Sequence, residues 1–228
     1  GYVDRGVSFA SQHGKKSIAA LVPENDYGTL AMAQFQQSAA TYGIRVPVIE
    51  RYKPGAPGES VKRLAAVRDQ FDALFIPEQA EAMQAVSREL VANGIDSKKV
   101  QIFGTGLWND ARTLSLPALQ GAWFTAPENA GFNAFAQRYK AKYGSDPARV
   151  ATLAYDAVSL AIALSRSQGS QRYSESVLTN PSGFNGADGV FRFKPDGGNE
   201  RGLSVLEIGG GSAKIISPAP RNFTGNGA

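Results

Sequence analysis

The stretch Ser17-Ile-Ala-Ala-Leu-Val-Pro-Glu-Asn-Asp-Tyr-Gly28 decides the fold of this chain. It begins with an apolar run, Ile18 to Val22, which is typical of a buried strand, and a short polar loop follows. The residue spacing then predicts a helix from about Thr29 to Tyr42, with Gly43 placed as its left-handed cap. A buried strand, a loop and a helix form the repeating unit of an open parallel sheet, so the stretch predicts an α/β fold.

The same alternation continues along the chain. We predict further strands at 44–52, 71–76, 100–103 and 122–125, and further helices at 60–68 and 79–93. Pro47 lacks a backbone N–H, so its strand is expected at the edge of the sheet. Two helices without an intervening strand then occupy 130–166, and strands return at 189–193, 203–208 and 214–217. The predicted fold is a parallel doubly wound sheet with an additional helix pair.

Composition limits the classes of function. The chain has 228 residues, of which 43% are hydrophobic, and this is enough to bury a sizeable core. Its formal net charge of +4 is spread without a basic run, so we predict no nucleic-acid partner. There are no cysteines, which excludes disulfides, thiolate metal sites and cysteine nucleophiles within this sequence. An apolar run of transmembrane length is also missing from it.

The sequence lacks the usual signatures of catalysis and of cofactor binding. His13 is the sole histidine, so neither a Ser-His-Asp triad nor a histidine metal site can be assembled. Gly104-Thr-Gly106 follows a predicted strand, but Asn109 occupies the place of the third glycine of a dinucleotide fingerprint. The spacing of Asp188, Asp196 and Glu200 does not match a calcium loop, and we predict that they are turn residues. We therefore predict no enzyme activity, no catalytic residue, no cofactor and no metal.

Five polar or aromatic residues follow predicted strands and are the candidate ligand-binding residues. Asp26 and Tyr27 follow the first strand, Glu78 follows the third, and Thr105 and Trp108 follow the fourth. Ligands of open α/β sheets bind outside the carboxyl ends of the strands, where these loops lie. A structural interpretation stays open for Glu78, because a carboxylate also favours the N-terminus of the following helix. Burial for packing alone likewise stays open for the two aromatic residues, Tyr27 and Trp108.

Three segments carry a family resemblance. They are Leu21-Val-Pro-Glu-Asn-Asp-Tyr-Gly-Thr-Leu-Ala31, then 134–147 with Ala154-Tyr-Asp-Ala157, and finally Phe184-Asn-Gly-Ala-Asp-Gly-Val-Phe-Arg-Phe-Lys-Pro-Asp-Gly197. In this order they resemble segments of the type I periplasmic binding proteins, in particular the leucine/isoleucine/valine-binding proteins and the penicillin-binding-protein-activator lipoproteins. The resemblance extends from residue 1 to about residue 217.

The resemblance implies a protein of two lobes that closes on a small solute, with a chain that crosses between the lobes three times. Applied here, residues 1–126 and 187–217 form the α/β domain of the second lobe, 127–186 form a helical segment of the first lobe, and 218–228 form a loose tail. The rest of the first lobe is expected upstream of residue 1. The apolar faces of the helices at 130–166 are then expected to be exposed, or covered by upstream chain, by a partner or by a second copy.

By the same resemblance, the chain is a non-catalytic periplasmic protein that passes an amino acid or a related small polar solute to a membrane ABC permease. A lipid anchor at an N-terminus upstream of this chain is a further possibility. In amino-acid binders of the family, the loop after the fourth strand carries an acid for the ligand ammonium. Here that position falls at Gly106, and the next carboxylate is that of Asp110. A second function therefore stays open, that of an envelope protein regulating a peptidoglycan synthase.

Overall fold

The computed structural model describes residues 1–223, which divide into two compact units. The first, called the sheet unit below, comprises residues 1–126 and 205–217. The second, called the helical unit, comprises residues 127–204 and 218–223. Residues 187–204 belong to the helical unit in this division, and the assignment of segments to two lobes stays a prediction.

The sheet unit alternates helices and strands. In chain order it contains α1 (Tyr2–Gln12), β1 (Ile18–Pro23), α2 (Asp26–Thr41), β2 (Ile49–Tyr52), α3 (Gly58–Ala66), β3 (Ala73–Phe75), α4 (Ala80–Ala92), β4 (Gln101–Gly104), α5 (Ala111–Leu114) and β5 (Trp123–Ala126). The strands β9 (Ser204–Gly209) and β10 (Ser212–Ser217) complete it as an antiparallel hairpin. The predicted strand at 44–52 is shorter in the structure, where it begins at Ile49.

The seven strands form one sheet in the order β10-β9-β5-β4-β3-β1-β2. Within the group β1 to β5, every pair of adjacent strands is parallel. Strand β2 occupies the edge, as the proline at position 47 predicts. The chain order reverses between β1 and β3, and such a reversal opens a crevice at the carboxyl ends of the two strands.

Alternating side chains of the strands build two apolar layers, one on each face of the sheet. On one face, Ala19 and Leu21 of β1 join the buried side chains of α3 and α4. On the other, Ile18 and Val22 of β1 join those of α1 and α2. All six residues of β1 are buried, because helices cover the sheet on both sides.

The helical unit contains two long helices and a small sheet. Its elements are α6 (Asn129–Tyr143), α7 (Ala151–Ser167), α8 (Glu175–Leu178), β6 (Phe184–Gly186), β7 (Gly189–Phe193) and β8 (Asn199–Arg201). The three strands pair antiparallel in the order β6-β7-β8. Strands β6 and β8 were not predicted from the sequence. The rings of Phe135 and Tyr155, whose centroids are 5.1 Å apart, join α6 to α7.

Buried charges connect α7 to the small sheet. Asp188 is 3% exposed, and its carboxylate accepts hydrogen bonds from Thr152 at 2.6 Å and from Arg149 at 2.9 Å. Asp156, also 3% exposed, accepts from the backbone N–H of Ala187 at 2.6 Å and lies 3.5 Å from the Arg201 guanidinium. Asp188 lies in the turn between β6 and β7, as predicted, and its carboxylate also ties that turn to the start of α7. Glu200, also predicted to be a turn residue, lies in β8 instead.

The tail predicted to be loose begins at Pro218. Within its described part, Ala219 donates a backbone hydrogen bond to Glu128, and the Arg192 guanidinium lies over the ring of Phe223 at 4.5 Å. Residues 224–228 lie outside the described residues. Across 1–223, no helix combines the length and the apolar character needed to cross a bilayer.

Candidate functional site

The candidate site lies at the carboxyl edge of the sheet unit, around the point where the strand order reverses. Three loops meet this edge, namely 23–28 after β1, 76–79 after β3 and 105–110 after β4. All five predicted residues belong to these loops or to the first turn of α2, and the four other than the buried Trp108 are called the carboxyl-edge site below. They are Asp26, Tyr27, Glu78 and Thr105.

The loop after β1 is fixed by local hydrogen bonds and by a glycine. The Asn25 side chain caps α2, since its Oδ1 accepts from the Gly28 N–H at 2.7 Å. A Cβ on Gly28 would overlap the carbonyl oxygen of Pro23, so only glycine allows this close approach. Tyr27 is consequently held in the first helical turn, half-buried, and the Asp26 carboxylate is exposed to solvent.

Tyr27 contacts the loop after β4 directly. Its Oη lies 2.7 Å from Oγ1 of Thr105, which is 2% exposed. Burial raises the pKa of the Tyr27 phenol, and the neighbouring Tyr2 and Glu78 raise that pKa further. The phenol therefore keeps its proton at neutral pH and can donate or accept a hydrogen bond.

Glu78 is in the predicted place but is not free. Its side chain is 3% exposed, and Oε2 accepts a short hydrogen bond from the Tyr52 hydroxyl. Oε1 accepts from the backbone N–H of Gln79 at 2.7 Å, at the N-terminus of α4. Both carboxylate oxygens are thus bonded to groups of the protein itself. This arrangement agrees with the structural interpretation of Glu78, in which its carboxylate stabilises the N-terminus of the following helix.

Tyr52 is a residue of this region that the sequence analysis missed. It ends β2 and is 3% exposed, and its hydroxyl reaches past the end of β1 to Glu78. Burial, followed by the hydrogen bond to Glu78, raises the pKa of the Tyr52 phenol. The available signal was its position at the carboxyl end of an alternating strand, which is the place where Glu78 also lies.

Trp108 is located in the core and not at the surface that its loop position predicts. It is completely buried in the layer formed with α3 and α4. Its ring occupies the space that a Cβ at Gly104 would need. The glycine before the loop was the signal for this packing, because it leaves room beside the strand for a large ring.

The acid nearest to the loop after β4 is also engaged. Asp110 caps α5 through the Arg112 N–H at 2.9 Å and forms an ion pair with the Arg112 guanidinium at 2.8 Å. These hydrogen bonds lower the pKa of Asp110 to about 2. Among residues 1–223 there is also no cluster of three or more His, Cys, Asp or Glu side chains suited to a metal ion.

The model of a family described as periplasmic binding proteins matches residues 1–213. A search of the curated proteins finds no match.

Several solved structures share the fold. One is described as a branched-chain amino acid ABC transporter from Rhodospirillum rubrum, with a TM-score of 0.80, 22% identity, and coverage of 93% of this chain and 64% of that one. A leucine-binding protein from Thermotoga maritima has a TM-score of 0.71 and 22% identity, with coverage of 96% of this chain and 65% of that one. A solute-binding protein of an ABC transporter from Rhodopseudomonas palustris, in complex with 3,4-dihydroxybenzoic acid, has a TM-score of 0.67 and 18% identity. The match covers 97% of this chain and 64% of that one. This chain therefore spans somewhat less than two thirds of their length, and at these identities the likeness concerns the fold.

Proposed function

This chain belongs to the periplasmic binding protein family, and from that premise we propose that it captures a small solute in the periplasm and presents it to a membrane ABC permease. The role is non-catalytic. The observation that carries the proposal is the hydrogen-bonded pair of the half-buried Tyr27 and the buried Thr105 at the carboxyl edge of the sheet, beside the reversal of strand order. Such an edge is the general place for ligands in open α/β folds.

The ligand class is proposed from the site and from the neighbours together. The similar structures are named for leucine or contain an aromatic acid, so we propose an amino acid or a small organic acid as the solute. The carboxyl-edge site would supply a polar contact through the Tyr27 hydroxyl, which the buried Thr105 holds in place, and the exposed Asp26 adjoins it. Glu78 has a structural role beside the site, because its buried carboxylate accepts hydrogen bonds from Tyr52 and from the backbone.

We also propose that the two units belong to different lobes of the complete protein. The sheet unit would form most of one lobe, and the helices within 127–186 would be a segment of the other lobe. An exposed apolar face on α7 supports this assignment. It consists of Val150 (68% exposed), the residue that precedes the helix, and of Leu153 (52%), Val158 (59%) and Ile162 (47%) within it. Isolated apolar side chains are common on protein surfaces, but a contiguous helical face of this kind is typical of a covered interface.

Thermal unfolding of the complete gene product that contains this chain tests solute capture. The panel contains L-leucine, L-isoleucine, benzoate and 3,4-dihydroxybenzoate, each at rising concentration. A solute that binds the folded state at one hundred times its Kd stabilises it by about 2.7 kcal/mol, which raises the Tm by several degrees. Indifference to this and to a broader panel, together with binding to a peptidoglycan synthase, would overturn solute capture in favour of the regulatory function.

A further inference from the structure

We propose that Thr105 donates its hydroxyl proton to Oη of Tyr27, which leaves the Tyr27 O–H as a donor to the solute, and that the solute therefore places an acceptor oxygen against Tyr27. Carboxylate, carbonyl and phenolate oxygens are acceptors of this kind, and an ammonium group is not. The inference rests on the proposed function and adds the chemistry of the group that meets this half of the site.

The burial of Thr105 decides which hydroxyl donates. Each of the two hydroxyls has one proton, and their oxygens are 2.7 Å apart. If Tyr27 donated, the Thr105 proton would need another acceptor in a place where the residue is 2% exposed. Among the described residues, Tyr27 is the hydrogen-bond partner of the Thr105 hydroxyl. A buried donor without a partner is unfavourable, so Thr105 donates and Tyr27 accepts.

The surroundings hold Thr105 in this arrangement. The Trp108 ring fills the space beside Gly104, and the Trp108 backbone N–H donates to the Thr105 carbonyl at 3.0 Å. Because Trp108 is completely buried, the turn that carries Thr105 cannot rotate without displacing a core ring. Trp108 therefore acts as a positioning residue for the Thr105 hydroxyl.

Tyr27, in contrast, has a side that is open to a solute. It is only partly buried, and burial raises the pKa of its phenol, so the proton is retained. Once its oxygen accepts from Thr105, the remaining hydrogen-bonding group that Tyr27 can turn outward is its O–H. An acceptor oxygen on the solute satisfies that O–H.

The acids of the site do not favour an ammonium group at the same place. Both oxygens of Glu78 are occupied by Tyr52 and by the Gln79 N–H. Asp26 is exposed, but adjacent residues on a helix do not face each other, so its carboxylate does not share the contact surface of Tyr27.

Replacing Thr105 tests the direction of the hydrogen bond without any solute. Difluorotyrosine is placed at position 27, and its phenol is titrated by ¹⁹F NMR in the wild type, T105V and T105S. A donor to the phenol oxygen stabilises the deprotonated form, so T105V is expected to raise the Tyr27 pKa, whereas T105S leaves it unchanged. If T105V lowers the Tyr27 pKa or leaves it unaltered, the proposed direction is wrong.

Matched solutes test the acceptor group in the complete gene product. The probes are 4-methyl-2-oxopentanoate and 3,4-dihydroxybenzoate, with isopentylamine and 3,4-dihydroxybenzylamine as their counterparts bearing an ammonium group. Y27F keeps the ring and removes the O–H, and we expect it to weaken binding of an acid probe about tenfold. Y42F is the matched control, because Tyr42 follows the other end of α2 and its hydroxyl donates to Asp4, so binding should change little.

The two proposals fail in different ways. If an acid binds equally well to wild type and Y27F, or if only the amines bind and depend on Tyr27, the acceptor inference is wrong and solute capture stands. If the wild type binds neither these probes nor the wider solute panel, solute capture fails, and the NMR titration still decides the direction of the hydrogen bond.

Discussion

The sheet unit and the helical unit exclude water by different means. The sheet unit has an apolar layer on each face of its sheet, built mostly from side chains that are fully buried. In the helical unit few apolar side chains are buried, and α7 is fixed to the small sheet by Asp156, Asp188 and two arginines. The difference indicates that the sheet unit contains its own core, whereas the helical unit depends on ionic contacts and leaves an apolar face uncovered.

The largest expected effect is a cavity in the sheet unit. The ring of Phe75 is fully buried, and its centroid lies 5.2 Å from those of Phe35 and Phe103. Phe75→Ala is expected to lower the free energy of unfolding by about 3–5 kcal/mol. Urea unfolding followed by fluorescence measures this in the sheet unit, because both tryptophans, Trp108 and Trp123, belong to it.

Phe135→Ala is the matched substitution in the helical unit. Phe135 is 8% exposed, so its removal is expected to affect the circular dichroism of the helices more than the fluorescence transition. Equal shifts of the fluorescence transition in the two variants would contradict the separation of the two cores.

The second effect tests the ionic contacts of the helical unit. Asp188→Ala removes the carboxylate that pairs with the partly buried Arg149 guanidinium and is expected to cost about 3 kcal/mol. Asp196→Ala is the control, because Asp196 is exposed and accepts one turn hydrogen bond from Gly198 at 2.8 Å. The helix signal in urea unfolding should fall early only in the Asp188 variant. Similar midpoints for the two variants would mean that the buried network does not stabilise the helical unit.

These two aspartates also show where the sequence is informative and where it is not. The buried strand and the helix within residues 17–42 could be recognised locally, and they predicted both the α/β fold and the loop at the site edge. The resemblance to periplasmic binding proteins, carried by three segments, is confirmed. Asp188 and Asp196 both lie beside glycines, however, and what separates them is Arg149, which is 39 residues away in the chain. No local pattern contains such a pairing.

The candidate site divides in the same way. Loop position alone placed Tyr27 and Thr105 at one edge, and the structure joins them by a hydrogen bond. It did not reveal that Tyr52 occupies the Glu78 carboxylate, because that contact depends on the sheet register across 26 residues. For Trp108, core packing and the site were both left open, because its loop position alone does not show which side of the sheet the ring enters; the structure places it in the core.

The third effect concerns the hydrogen bond between Tyr52 and the buried Glu78 carboxylate. Tyr52→Phe removes the hydroxyl that donates to Glu78 and is expected to cost about 1.5–3 kcal/mol, the range for hydrogen bonds to charged groups. Tyr42→Phe is the control, because the Tyr42 hydroxyl donates to Asp4 at 3.2 Å in a more exposed place. Chemical denaturation at pH 7 should separate the two variants.

The pH dependence of the same pair has a defined sign. Folding raises the pKa of Tyr52, so its contribution is fully present below the ordinary tyrosine pKa of about 10 and is lost as the pH rises further. The stability difference between wild type and Tyr52→Phe should therefore be constant from pH 7 to 9 and decrease above pH 10. A difference that grows at alkaline pH would contradict the assignment of Tyr52 as the donor.

The smallest expected effect tests the uncovered face of α7. Val158 is 59% exposed, so Val158→Lys is expected to change the free energy of unfolding of this chain by no more than about 0.5 kcal/mol. In the complete gene product the same substitution should cost about 2 kcal/mol or more if the other lobe covers this face, since it would bury an unpaired charge. Arg166→Ala, on the same helix but in an exposed polar position, is the control that should be neutral in both proteins. A neutral Val158→Lys in both would mean that α7 presents this face to solvent in the complete protein too, and the assignment of the helical unit to a second lobe would lose its main support.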